Sequence, residues 1–440
     1  MGGQEILYGT QAMAGRRDDR VKVSIVGTGY VGLVTGLCLA ELGNEVVCID
    51  VVPAKVQSIM EGRAPIYEPG LDELLERHLR SGRFRATMDM GQVTGTDVTF
   101  IAVGTPSNED GSLDLRYVRT AAEDIGRALA SKDGYHVVVV KSTVTPTTTD
   151  AVVAPIVESS SGKRVGDDLG IASNPEFLKE GMAVDDFMNP DRVVIGASDE
   201  RAAGVVRSLY SSFDCPILTV PTATAEMIKV ASNSFLATKI SFVNEVGNIC
   251  KDMGIDMRQV AEGMGLDARI GKQFLRAGCG FGGSCFPKDV AGLAAEAERR
   301  GLRPRIMRAA LDVNAEQPLR LLQLLDRRMD VRGRTVAVLG LAFKPFTDDI
   351  REASSLKVVA GLLARGASVR AYDPKAMDNF RREYPDVTYC SSTQECISGA
   401  DVAIIVTEWP EFAPPELYGD MLVVDGRGVT RTKNYEGICW

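Results

Sequence analysis

Residues 21–50 constrain this chain more than any other stretch. An alternating apolar run, Val21 to Ile25, leads into Val26-Gly27-Thr28-Gly29-Tyr30-Val31-Gly32. A helical pattern follows from Leu33 to Leu42, and a second apolar run, Glu45 to Ile49, ends at Asp50. This order is a β-α-β unit with G-x-G-x-x-G at its first turn. Gly27 permits the tight turn, Gly29 lets a pyrophosphate approach the backbone, and Gly32 lets the helix pack closely, while the helix N-terminus faces the phosphates. A carboxylate roughly twenty residues on, here Asp50, accepts hydrogen bonds from a ribose and repels a 2′-phosphate, which favours NAD over NADP.

Two further apolar runs, Asp97 to Val103 and His136 to Val140, have the character of buried parallel strands. They end in Gly104-Thr105-Pro106 and Lys141-Ser142-Thr143, and in open α/β sheets ligands lie beyond such carboxyl ends. His136 stands at the other end of its strand and is assigned no role. The C-terminal third repeats the theme: a strand over Arg334 to Leu339 ends at Gly340, a helix spans Ser354 to Leu363, and a strand over Ala367 to Ala371 ends at Tyr372-Asp373-Pro374. The G-x-G-x-x-G is missing there, replaced by an insertion from Ala342 to Arg351, so this half is expected to hold a different ligand. Between the halves a helix is expected from about Ala223 to Met253, with Lys229 and Asn233 at i and i+4 on one face. On spacing alone that pair reads as a solvated stripe. The fold class expected is α/β, with two Rossmann-like, doubly wound parallel-sheet domains joined by a long central helix.

Of 440 residues, 45% are hydrophobic and 25% charged, the balance of an ordinary soluble protein with two or three domains. A formal charge of −9 gives no footprint for nucleic acid or an anionic membrane. With only His78 and His136 present, a histidine triad and a multi-histidine metal site are excluded, and no metal is expected. Nine cysteines without a C-x-x-C suit a reducing, cytoplasmic setting. Residues 1–20 lack an apolar h-region and read as a flexible extension.

The stretch Gly282-Gly283-Ser284-Cys285-Phe286-Pro287-Lys288-Asp289 sets one thiol in a glycine-rich turn with a cation and a carboxylate behind it. Positive charge and backbone amides raise the thiolate fraction, and paired glycines leave amides free for an oxyanion. The alternative is a buried structural cysteine beside a surface Lys-Asp pair.

These motifs, with Ile66-Tyr67-Glu68-Pro69-Gly70-Leu71, Asn174-Pro175-Glu176-Phe177-Leu178-Lys179-Glu180-Gly181, Ala225-Glu226-Met227-Ile228-Lys229 and Lys344 through Arg351, resemble the UDP-glucose/GDP-mannose dehydrogenase family from Val21 to the C-terminus. The resemblance implies a four-electron oxidation of a nucleotide sugar at C6, alcohol to carboxylate, with two NAD used in succession. Cys285 would add to the intermediate aldehyde as a thiohemiacetal and become a thioester, which water then hydrolyses. Lys229 and Asn233 would donate to the C6 oxygen, Asp289 and Thr143 would position a water, and Glu176 would assist hydrolysis. The base is left open among Glu176, Lys229 and Asp289.

By the same resemblance, Tyr30, Val31, Asp50, Lys55, Thr105, Thr143, Glu180, Lys288 and Arg351 would contact NAD. Glu176, Phe177, Leu178, Glu180, Lys229, Asn233, Phe274, Gly282 and Lys344 would hold the sugar nucleotide. Arg269 would reach a neighbouring subunit, implying at least a homodimer. The implied division is an NAD-binding domain over 21–215, a central helical dimerisation domain carrying Cys285 over 216–320, and a UDP-binding domain over 321–440. UDP-glucose is the substrate favoured, with GDP-mannose and UDP-N-acetyl hexosamines as alternatives. Two other classes compete: a binding protein without turnover, and a short-chain-type dehydrogenase or epimerase, which needs a Tyr-x-x-x-Lys that neither Tyr30 nor Tyr67 begins.

Overall fold

The computed structural model describes residues 20–440, so the extension expected over 1–20 lies, apart from Arg20, outside the described residues. The chain divides into two compact units, one ending at Ala231 and the other beginning at Ser232.

The first unit is built on eight strands: β1 (Lys22–Val26), β2 (Glu45–Ile49), β3 (Phe84–Thr87), β4 (Val98–Ile101), β5 (His136–Val140), β6 (Leu169–Ser173), β7 (Val193–Ala197) and β8 (Ile217–Val220). Their order is β3-β2-β1-β4-β5-β6-β7-β8, and every pair is parallel except β6 with β7. The first six follow the doubly wound dinucleotide-binding order. Central strands are buried on both faces, which is why Val-Thr-Phe-Ile and His-Val-Val-Val-Val read as continuous apolar runs. Val26 pairs with Ile49 and with Ile101, so β1, β2 and β4 finish level, and the loops beyond them share one edge.

His136 and its neighbours form a polar bolt within this sheet. Thr99 Oγ1 lies 2.6 Å from Ser24 Oγ and 2.8 Å from His136 Nε2, and His136 Nδ1 lies 3.0 Å from the Thr96 carbonyl. Burial pushes the His136 imidazole down to about 3, so it is neutral and structural.

The second unit carries β9 (Thr335–Leu339), β10 (Ser368–Tyr372), β11 (Thr388–Tyr389), β12 (Val402–Ile405), β13 (Leu422–Asp425) and β14 (Tyr435–Gly437). Their order, β11-β10-β9-β12-β13-β14, is all parallel and repeats that of β1–β6. The fold class expected from the sequence is therefore observed. The antiparallel entry of β7 is an addition, because pairing direction depends on how the chain returns to the sheet edge.

A 31-residue helix, Thr222–Asp252, runs through the division between the units; at 1.5 Å per residue it is about 46 Å long. Its internal Gly247 is required by packing, since a Cβ there would meet Cys439 Sγ at 2.8 Å. Two more helices of the second unit, Phe286–Arg299 and Arg305–Asp326, follow the cysteine turn.

Candidate active site

In the first unit the glycine turn is built as its spacing requires. Gly27 has φ +102°, and a Cβ on Gly32 would sit 2.0 Å from the Gly27 carbonyl oxygen, so neither tolerates a side chain. A Cβ on Gly29 would meet nothing within 4 Å, which leaves open space over the N-terminus of the helix Tyr30–Glu41. Asp50 accepts from the Thr28 amide and hydroxyl at 2.8 and 2.6 Å, and from Val52 N at 3.0 Å. Burial pushes this carboxyl up, but the Thr28 hydroxyl and amide, the Val52 amide and the Lys55 charge together hold it below its ordinary value. An open cradle at a helix N-terminus and an ionised acid at the end of β2 fit a dinucleotide with a free ribose diol.

Tyr30 and Val31 open that helix, both half-buried. The Tyr30 hydroxyl is committed elsewhere: it donates to Glu68 Oε2 and accepts from Gly181 N at 3.0 Å. Glu68 also takes the Gly181 and Ala183 amides at 2.6 and 2.8 Å, so this one buried acid ties the glycine turn to the loop of Phe177, Leu178 and Glu180. Glu68 was quoted in the sequence only as part of a motif; its role as a strut is legible only in three dimensions.

Thr105 Oγ1 donates to the Thr143 carbonyl at 2.8 Å, joining the loops beyond β4 and β5. Glu176 is buried and 2.9 Å from Lys229 Nζ, and its other oxygen accepts from Leu178 N at 2.5 Å. Burial pushes the Glu176 carboxyl up, but Lys229, by charge and hydrogen bond, the Leu178 amide and the Lys141 charge keep it below its usual value. Phe177 is covered by the Arg192 guanidinium, 3.7 Å from the ring centre, and lies 5.5 Å from Lys229 Nζ. Arg192 was not singled out in the sequence, having no motif around it.

In the second unit, Cys285 caps the helix Phe286–Arg299, whose first turn is closed by Asp289 N donating to the Cys285 carbonyl at 2.8 Å. The positive end of the helix dipole therefore lies at the thiol, favouring its ionised form. Seven of the nine cysteines are buried, and Cys285 and Cys215 are half-exposed. Ser284 Oγ lies 3.5 Å from Cys285 Sγ. Behind the thiol, Asp289 is fully buried, accepting from Asn233 Nδ2 at 2.7 Å on one oxygen and from Lys288 Nζ at 2.7 Å on the other. Lys229 and Asn233, one turn apart on the long helix, are both buried, so the reading of a solvated stripe does not hold.

The glycines before Cys285 are packing requirements. A Cβ on Gly282 would lie 2.3 Å from the Glu352 carbonyl oxygen, and one on Gly283, at φ +83°, would lie 2.8 Å from the Phe343 ring. The Gly283 amide donates to the Arg351 carbonyl at 2.8 Å, so Phe343, Arg351 and Glu352 wall the thiol turn. Lys344 Nζ is 5.5 Å from the Phe343 ring centre, and the exposed Arg351 side chain forks onto Asp349. Phe274, at φ +63°, packs its ring 6.1 Å from that of Phe286. Arg269 points outward, 89% exposed, with Asp267 as its ion-pair partner.

The second sheet differs where its first two strands end. Asp373, the counterpart of Asp50, is fully buried and accepts from the Leu341, Ala342, Lys375 and Ala376 amides and from Trp409 Nε1 at 3.0 Å. A carboxylate with five internal donors has no capacity left for a ribose. This agrees with the missing G-x-G-x-x-G and with a different ligand for this half.

Among the described residues no helix is long and apolar enough to cross a membrane, and no cluster of metal-ligating side chains is present.

The chain matches the NAD binding domain of the UDP-glucose/GDP-mannose dehydrogenase family over residues 21–214, its central domain over 223–316 and its UDP binding domain over 337–432. It is 48% identical over 430 residues to a UDP-glucose 6-dehydrogenase of Haloferax volcanii, covering 95% of this chain and all of that protein. A UDP-glucose dehydrogenase structure from Pyrobaculum islandicum superimposes with TM-score 0.93 at 47% identity, covering 97% of this chain and all of the other. A GDP-mannose dehydrogenase structure from Pseudomonas aeruginosa, at 36% identity and coverage of 95% and 100%, gives a TM-score of 0.56. With all three family domains matched in order on a fold of the right class, the chain belongs to the UDP-glucose/GDP-mannose dehydrogenase family.

Proposed function

We propose that this chain is an NAD-dependent UDP-glucose 6-dehydrogenase, which oxidises the C6 alcohol of UDP-glucose to the carboxylate of UDP-glucuronate. The observation that carries the reading is the half-buried Cys285 at a helix N-terminus, backed by an Asp289 that Asn233 and Lys288 hold. The close relative from Haloferax volcanii and the Pyrobaculum islandicum structure support UDP-glucose over GDP-mannose.

NAD, bound at the glycine turn, supplies the acceptor for each of two hydrides lost from C6. Lys55, Thr105, Glu180, Lys288 and Arg351 are assigned to it beside the turn residues. Lys229 and Asn233 donate to the C6 oxygen as charge builds there. The Cys285 sulfur adds to the aldehyde carbon, forming a C–S bond as the oxygen takes up a proton. Loss of the second hydride and of that proton leaves a thioester. A water positioned by Asp289 and Thr143, with Glu176 as base, attacks the acyl carbon; the C–S bond breaks, the thiolate leaves and the carboxylate is released. Phe177, Leu178, Phe274, Gly282 and Lys344 are assigned to the sugar nucleotide, with UDP on the C-terminal domain.

We assign a homodimer, and the long helix supports it. Phe235, Phe242 and Ile249 recur at steps of seven on it, Met253 follows just past its end, and each is more than half exposed. An apolar stripe of this length on one helix suits a second copy of the same helix, and the exposed Arg269 suits a role across that interface. Nine cysteines with no C-x-x-C spacing suit a reducing compartment, and we assign the protein to the cytoplasm.

The test is NADH formation with UDP-glucose, GDP-mannose and a UDP-N-acetyl hexosamine in parallel. We expect kcat/KM for UDP-glucose to exceed the others by about a hundredfold. A higher value for GDP-mannose would move the substrate assignment and leave the covalent chemistry in place.

A further inference from the structure

Thr147 stands four residues past Thr143 in the loop beyond β5, with φ at +81°. Its side chain is exposed, and a β-branched residue in the left-handed region is strained. What holds it there is Glu226 on the long helix. Glu226 Oε2 accepts from the Thr147 amide at 2.6 Å, and Oε1 accepts from the Thr149 amide and hydroxyl at 2.8 and 2.6 Å. The Thr222 hydroxyl, one turn earlier on that helix, donates to Asp150. Both ties fall on the segment that follows Thr143.

Glu226 is buried, and these three groups all donate to it, so the arrangement is that of a carboxylate. Burial and the Asp150 charge push the carboxyl up, and the Thr149 hydroxyl and the two amides draw it back. The path from Glu226 to Thr143 is short. Thr148 donates to the Thr145 carbonyl through its amide at 3.1 Å and its hydroxyl at 2.6 Å, closing Thr145 to Thr148 into one turn. Only Val144 separates that turn from Thr143. Lys229, three residues past Glu226 on the same helix face, has its own tie to Glu176.

We propose, on the basis of the function assigned above, that Glu226 is a positioning residue for thioester hydrolysis. It holds Thr147 in the strained turn and so sets the loop where Thr143 positions the attacking water. In that step water adds to the acyl carbon, one of its protons goes to Glu176 and the other to solvent, the C–S bond breaks, and thiolate and carboxylate are left. A strained residue persists only while its surroundings enforce it, so without the carboxylate Thr147 relaxes towards negative φ and the turn shifts. The hydride steps are spared at saturating NAD, because Glu176 still holds Lys229.

The test mixes the full chain, at known concentration, with saturating NAD and UDP-glucose and follows NADH from the first turnover onward. Glu226→Gln keeps one acceptor oxygen, best placed on the two donors of Thr149, and turns its own N–H group on the Thr147 amide. A first phase of about two NADH per chain is expected, followed by a steady rate about tenfold below wild type. Thr147→Gly adopts a positive φ freely and should alone leave the steady rate within about twofold of wild type. Combined with Glu226→Gln, it should raise that variant's rate by about threefold or more. Loss of folded chain alone would shrink the first phase in step with the steady rate, and that result overturns the proposal. An unchanged steady rate in Glu226→Gln overturns it too, as does a double variant no faster than Glu226→Gln. If Glu226→Gln does not fold, the double variant should, and its failure to fold is equally fatal. Wild-type chain that forms no NADH from UDP-glucose refutes the function assignment itself, and that control separates the two failures.

Discussion

Asn233 donates its side-chain amide to Asp289 Oδ2 at 2.7 Å, tying the long helix to the first turn of the helix that Cys285 caps. Asp289 thereby orients a donor and, through Oδ1, a lysine ammonium, from a position closed to solvent.

Asp289→Asn keeps the shape and removes the charge that holds both partners. We predict a loss in kcat of about a hundredfold with a much smaller loss of NAD affinity through Lys288, from steady-state kinetics beside calorimetric NAD titration. A parallel loss of NAD affinity would place Asp289 in cofactor binding instead.

We assign Asp50, set by three donors at the end of β2, as the acid that discriminates between the cofactors. Asp50→Ser should weaken NAD by about 1–3 kcal/mol and bring NAD and NADP affinities closer together. Binding of both cofactors, measured by fluorescence titration, checks this. An unchanged preference would remove Asp50 from the ribose site.

Gly282 and Gly283 leave no room for a Cβ against Glu352 and Phe343. Gly283→Ala adds strain at φ +83° to the clash, so each substitution should cost about 1–3 kcal/mol. Activity should fall further than stability does, because the displaced turn carries the thiol. Calorimetric melting of the variants beside single-turnover rates tests this.

His136 makes the first unit sensitive to acid. Its folded value, pushed down to about 3 by burial, lies below that of an unfolded histidine, so the unfolded chain binds more protons between the two. Its contribution is complete above about pH 6.5 and falls by about 1.4 kcal/mol per unit as pH drops towards 3. Urea melts across that range should show the slope, and a flat profile would mean that the imidazole is protonated in the fold.

Much of the architecture was legible in the residues. β1, β2, β4, β5, β9, β10, β12 and β13 are apolar runs with turn chemistry at their ends, and the glycine turn and Asp50 stand where their spacing puts them. Of the strands not read, β7 is an apolar run, Val-Val-Ile-Gly-Ala, that was passed over, and most others are short or of mixed polarity. Phe-Arg-Ala-Thr of β3 alternates, β11 has two residues, and Leu-Gly-Ile-Ala-Ser of β6 has weak strand preference. Partnership was less legible than location. No spacing rule connects Tyr30 to Glu68, or Lys141 to Asn174, because each pair meets only when loops from different strands converge. Asp373 shows the opposite case: its place repeats that of Asp50, and only its five donors reveal a different purpose.

The most direct measurement is the number of NADH formed per UDP-glucose under limiting sugar and excess NAD, with wild type and Cys285→Ala run side by side. The account predicts two equivalents with release of UDP-glucuronate from wild type, and no sustained turnover to the acid from Cys285→Ala with NAD binding retained. One equivalent from wild type, or normal uronate production by Cys285→Ala, would contradict the covalent four-electron route.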